Sequence, residues 1–236
     1  MTALAPIIRD TFVFFITLSL CAQGVLASTT ITVPPPNTGE QTTGNPTSTK
    51  INEVLSKIDQ DLLRGYLTTV VNYAPRVDGT FGCALTAKYI HAQFEHQGLT
   101  ALYLNWTARG NRYHPYIYHS QNIEGTLPGI DPNDDAIIIF NAHYDGVKAG
   151  PGANDDGSGT AAVLAAAYAL SQFHFNRTLK FVAFAGEEIG LIGSQVYAKE
   201  AYGRNDNIML EVNADMIGYD NGSRTMRVIG TEDAGW

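Results

Sequence analysis

Residues 136–159 read AIIIFNAHYDGVKAGPGANDDGSG, and the reading of this stretch decides the rest. Ala136 to Phe140 is a continuous apolar run, the pattern of a central parallel strand with both faces covered. His143 and Asp145 then fall where that strand ends, at the carboxyl edge of the sheet, where open α/β sheets bind their ligands. The glycines and proline of Gly150-Pro151-Gly152-Ala153-Asn154 forbid regular structure and favour an unusual backbone path, at whose end Asp155 is delivered. Ser158 to Leu170, SGTAAVLAAAYAL, reads as a helix of small residues buried nearly all round, with Asp156 or Ser158 available to cap it. One imidazole and three carboxylates gathered between a buried strand and a helix start suggest metal chemistry. Taken singly, a histidine here could be structural and an aspartate only a helix cap.

The same pattern returns twice downstream. Thr178 to Ala185, TLKFVAFA, is a second buried strand, and Gly186-Glu187-Glu188 begins the turn into a helix over about 191–201. Ile208 to Val212 is a third strand, ending at Asn213-Ala214-Asp215. This alternation predicts a three-layer α/β/α sandwich around a mixed sheet with a largely parallel core, and it brings three carboxylate-bearing loops to one sheet edge. A dinuclear hydrolytic site needs four or five hard or borderline ligands, a carboxylate able to bridge two ions and an unligated base. His143, Asp155, Glu188 and Asp215 could supply four ligands and Glu187 the base. The plainer role for Glu187 and Glu188 is as two anions stabilising a helix N-terminus.

Upstream, Ile51, Val54, Leu55, Ile58, Leu62 and Val70 recur at helical spacing and predict an amphipathic opening helix broken near Gly65. After the turn-rich segment from Arg76 to Gly82, Leu85 to Gln97 reads as a second helix stopped by Gly98. Leu99–Trp106, Tyr113–Tyr118 and Asn122–Leu127 read as three strands. His91, His96, His114 and His119 show no partner spacing and are placed outside any site.

The composition is that of a folded protein, with 44% apolar and 16% charged residues, and 236 residues allow one sizeable core. A formal net charge of −8 argues against a nucleic-acid partner. Asp10 to Ala27 carries an apolar core behind Arg9 and ends in Val25-Leu26-Ala27, so residues 1–27 are expected to be a signal peptide cleaved after Ala27. That core is short for a bilayer span, so no stable membrane insertion is expected once it is removed. The expected location is secreted or extracytoplasmic, or membrane-anchored if the segment is kept. Residues 28–50, rich in Thr, Pro, Gly and Ser, read as a tether, and 51–236 as the folded domain. Cys83 would be alone in the mature chain, which excludes an internal disulfide and a cysteine-ligated metal. Asn105, Asn176 and Asn221 head glycosylation sequons.

The motifs HYDG (143–146), PGANDDGSG (151–159), AFAGEEIGLIGS (183–194) and NADMIGYD (213–220), in this order, resemble the zinc-dependent M28 aminopeptidases. The segments from Arg76 to Leu99 and from Asn122 to Gly129 resemble that family as well, so the likeness extends over roughly 51–236. It implies a peptide substrate and two zinc ions, His143 and Asp215 binding the first, Glu188 the second and Asp155 bridging both. Glu187 would be the general base, and Asp145 would stand behind the imidazole and fix its tautomer. The Asp155–Asp156 peptide bond would be cis. Gly146 departs from the family's frequent Ser. The family's last ligand, a later histidine, has no counterpart, since no histidine follows His174. The final strand, closing helix and substrate-facing tyrosine that accompany it are expected to be missing too, leaving an apolar sheet edge uncovered and at most one zinc held firmly. The proposed reaction is removal of N-terminal amino acids by a metal-activated water. Glutaminyl cyclase and a non-catalytic protease-like ectodomain are the alternatives.

Overall fold

The computed structural model describes residues 16–17, 26–32, 46–220 and 225–231. In chain order its elements are β1 (Ile16–Thr17), β2 (Leu26–Thr32), α1 (Pro46–Leu55), α2 (Gln60–Asn72), α3 (Phe81–His96), β3 (Thr100–Arg109), β4 (Ile117–Leu127), β5 (Ile137–His143), α4 (Gly157–Leu170), β6 (Thr178–Phe184), α5 (Ile192–Arg204), β7 (Ile208–Ala214) and β8 (Thr225–Thr231). The strands form one sheet in the order β2-β8-β1-β7-β5-β6-β4-β3. The three buried runs make its parallel core, with β5 between β6 and β7. Parallelism stops at that core's β6 side, where β4 pairs antiparallel with both β6 and β3.

Because side chains alternate across a strand, each core strand feeds two layers. Ile138, Phe140 and Ala142 of β5 and Leu179, Phe181 and Ala183 of β6 pack with Ile90 and Phe94 of α3 and Leu164 of α4. The rings of Phe140 and Phe181 stack with centroids 5.6 Å apart. On the opposite face Ile139, Val182 and Phe184 meet Tyr197 of α5. Lys180 also points there, and its charge is met by Glu124, 3.1 Å away, whose other oxygen accepts from the Tyr197 hydroxyl at 2.7 Å. A buried ion pair of this kind is tolerated because hydrogen bonds satisfy its remaining valences.

Several local expectations shift. The opening helix is two helices whose break lies at Asp59, the N-cap of α2, which accepts from the Leu62 amide at 2.8 Å. Gly65 stays inside α2, where its missing side chain leaves only a small propensity cost. Tyr113–Tyr118 is not a separate strand: β4 begins at Ile117 and runs unbroken through Asn122–Leu127, while Asn111 turns the chain by accepting from the amides of Tyr113 and His114. Part of the expected tether is ordered, since Leu26–Thr32 pairs antiparallel with β8 and α1 starts at Pro46. Four β-branched residues in that strand favour the extended chain that an unpaired neighbour recruits. The edge of β7 is likewise occupied, by β1, over two residues. Of the expected signal peptide only Ile16–Thr17 and Leu26–Ala27 fall within the described residues, and the sequon at Asn221 lies outside them. Among the described residues no helix is long and apolar enough to cross a membrane.

Candidate active site

The parallel strands β5, β6 and β7 all end at one edge, and each continues into a segment that carries acids. His143 is the last residue of β5 and is 4% exposed; Asp145, two residues on, is fully buried. The GPGAN segment returns the chain so that Asp155 stands against His143, with its carboxylate 3.0 Å from Nε2. The Asp155–Asp156 bond is cis, as the resemblance implied. From β6 comes Glu187, whose Oε2 is 3.9 Å from the same nitrogen, and from the end of β7 comes Asp215, at 4.0 Å. One ligand atom each from His143, Asp155 and Asp215 lie within 4.8 Å of one another. Glu188 lies outside that trio, although it feels the charge of Asp155.

Two buried carboxylates hold this edge together. Asp145 accepts from the amides of Glu187 and Glu188, each at 3.2 Å, so it fixes the turn after β6 to the end of β5. Its Oδ1 is also 3.5 Å from His143 Nδ1, beyond a formed hydrogen bond but well inside the reach of its charge. Asp156 caps α4 through the Gly159 amide at 2.8 Å and also accepts from the amides of His143 and Met216, each at 3.3 Å. The close seating of α4 requires Gly159, because a Cβ there would lie 2.0 Å from the Ala214 carbonyl oxygen. Thr160 completes the joint by donating to the His143 carbonyl at 2.9 Å.

The electrostatics follow from crowding acids around one ring. Burial opposes a charge on His143, but the carboxylates of Asp145, Asp155 and Asp156 outweigh it and push its pKa up to about 11. Asp155 is held below the usual carboxylate range by its hydrogen bond to His143. Burial raises Glu187, Glu188 and Asp215 above theirs; His143 partly offsets this in all three, and neighbouring acids reinforce it. A proton on the imidazole thus stands where a cation would neutralise the same acids.

The donor set fits a metal: one imidazole nitrogen and two carboxylates make up the three protein ligands that a catalytic zinc usually has. The buried Nδ1 of His143, which makes no hydrogen bond, faces Asp145, the arrangement that orients a ligating imidazole. His91, His96, His114 and His119 take no part in the trio. Sequence reasoning missed two residues of this edge. Arg76 was read only as part of a turn, and Asp156 only as a helix cap; neither of their tertiary roles leaves a local pattern.

Residues 122–235 match the sequence profile of Peptidase family M28, a span that contains every one of these acids and His143. Over that span the chain is similar to peptidase family M28. Leucine aminopeptidase 2 of Trichophyton rubrum is 39% identical over 101 residues, which are 42% of this chain and 20% of the relative. The chain thus spans about a fifth of the length of that curated relative. A leucine aminopeptidase precursor from Bacteroides thetaiotaomicron superposes with a TM-score of 0.58 at 23% identity, over 69% of this chain and 64% of that one. The glutaminyl cyclase of Fimbriiglobus ruber superposes at 0.56 and 20% identity, over 65% and 58% respectively. At these identities the two structures attest the fold alone, a mixed sheet with flanking helices.

Proposed function

We propose that this chain is a zinc-dependent peptide hydrolase that removes N-terminal amino acids. The observation that carries the reading is the meeting of His143, Asp155 and Asp215 beside the carboxylate of Glu187. His143, Asp155 and Asp215 would hold the ion, and Asp155 would be shared with a second ion reached by Glu188. When bound, zinc supplies Lewis acidity, polarising a scissile carbonyl and lowering the pKa of water. Glu187 takes a proton from the attacking water and passes it to the leaving amine. Its burial suits that work, because a carboxylate raised above its ordinary pKa holds a proton better on the way between the two. Asp145 keeps the imidazole oriented and the Glu187 turn in place. The proposal includes export, with residues 1–27 as signal peptide and 28–50 joining it to the domain of 51–236.

The test combines zinc content per chain with hydrolysis of aminoacyl nitroanilides. Wild type should bind zinc and release nitroaniline, and His143→Ala should do neither. Cyclisation of N-terminal glutaminyl peptides without nitroanilide hydrolysis would move the reading to a glutaminyl cyclase, whose fold the chain shares. Zinc-free protein with no turnover would leave the non-catalytic ectodomain.

Zinc uptake should also release protons. A ligand imidazole must be neutral, whereas in the metal-free site His143 is raised from 6.5 to about 11 and so is charged at pH 7. In the metal-free fold, the stability gained from charged His143 is fully present below about pH 6.5 and is lost as pH rises through about 11. Zinc binding runs the other way, strengthening roughly tenfold per pH unit while that one proton must leave. Calorimetric titrations in buffers of different ionisation enthalpy should report about one proton released per zinc near pH 7. Heats that do not change with the buffer would exclude a protonated His143.

A further inference from the structure

Arg76 is 1% exposed, yet among the described residues no carboxylate touches its guanidinium. A charge placed there needs partners, since burying an unpaired cation is costly. Among the described residues its hydrogen bonds go to backbone carbonyls, and they divide between two segments. Nε donates to the Tyr144 carbonyl at 2.8 Å, between His143 and Asp145. The two terminal nitrogens donate to the carbonyls of Pro151 at 2.8 Å and Gly152 at 2.9 Å, in the loop that delivers Asp155. The Arg76 carbonyl accepts in turn from the Gly146 amide at 3.1 Å. Gly152 is shaped to admit the fork: it has φ +61°, and a Cβ there would stand 2.9 Å from the guanidinium and 2.7 Å from the Asp155 carbonyl oxygen. Asp156, Asp145 and Asp155 are the acids whose charges the guanidinium feels most.

We propose that Arg76 is a positioning residue of the metal site, whose guanidinium laces the strand end bearing His143 and Asp145 to the loop bearing Asp155 and so sets the spacing of the metal-binding atoms. The inference rests on the metal-binding reading above. Only the planar, forked donor geometry of arginine reaches carbonyls on both segments at once; a lysine ammonium keeps the charge but offers a point donor. The cation also lowers the repulsion among acids that must converge before any ion arrives.

The test uses the full chain with Arg76→Lys and Arg76→Ala, reading zinc affinity by competition with a chromophoric chelator and site geometry by the visible absorption of bound cobalt. Removing a residue that orients metal ligands typically lowers affinity ~10–100-fold. Arg76→Ala should show that loss together with an altered cobalt band, millimolar guanidinium should restore much of it, and Arg76→Lys should recover it only in part. Should Arg76→Ala not fold, Arg76→Lys decides alone. A folded variant with wild-type zinc affinity and an unchanged cobalt spectrum overturns the proposal while leaving the metal reading intact. Wild-type chain that binds neither zinc nor cobalt overturns both.

Discussion

Glu187→Gln should lower peptide turnover ~10²–10⁴-fold and leave zinc content unchanged, because general-base catalysis contributes about that much. The substitution keeps the shape of the side chain and removes only its ability to take a proton. It also spares the scaffold, since the turn is held by the Glu187 and Glu188 amides on Asp145 and not by the Glu187 carboxylate. Zinc measured per chain beside nitroanilide hydrolysis separates the roles cleanly. Metal and activity falling in proportion would make Glu187 a ligand, and the proton would then have to be taken elsewhere.

Asp156→Ala should cost about 3 kcal/mol or more, because it strips the acceptor from three buried or half-buried amides, those of Gly159, His143 and Met216. Each of those amides begins or ends a different element: the first turn of α4, the last residue of β5 and the segment beyond β7. For a chain of this size the loss corresponds to a fall in Tm of roughly 6–12 °C. The melt belongs in chelator, so that lost metal does not add to the effect. Asp156→Asn keeps an acceptor oxygen, and because burial already raises this carboxyl well above its usual range, the amide should be tolerated far better. A cost below ~1 kcal/mol for Asp156→Ala would reduce the residue to an ordinary helix cap.

The parallel core and the order of its loops were legible because continuous apolar runs have few alternatives, and each such run led into a segment that carries acids. His143 and Asp215 stand at strand ends and Asp155 at the end of the Gly-Pro-rich loop before α4, and the geometry brings those three together. The family motifs assigned Glu187 and Glu188 different roles, which adjacency on a loop permits but does not specify. What sequence could not carry was any interaction joining distant segments. Arg76 meets Tyr144 and Gly152 through backbone carbonyls, which every residue has, so no residue type downstream betrays the contact. The pairing of Leu26–Thr32 with β8 was hidden for a related reason: Thr-rich composition sets the cost of ordering a segment, whereas β8 supplies the ladder that offsets it.

The trio that meets at the sheet edge is unevenly spread along the chain. His143 and Asp155 are joined by a single loop, whereas Asp215 arrives only when β7 has paired with β5, with α4, β6 and α5 lying between them in sequence. An unfolded chain can therefore offer a metal ion two neighbouring donors, and the native chain offers a third. A ligand stabilises a fold by the excess of its affinity for the native state over the unfolded one. On the proposed zinc-binding reading that excess would be concentrated in Asp215, so the thermodynamic linkage between zinc and folding would report, in effect, on one strand pairing in the centre of the sheet.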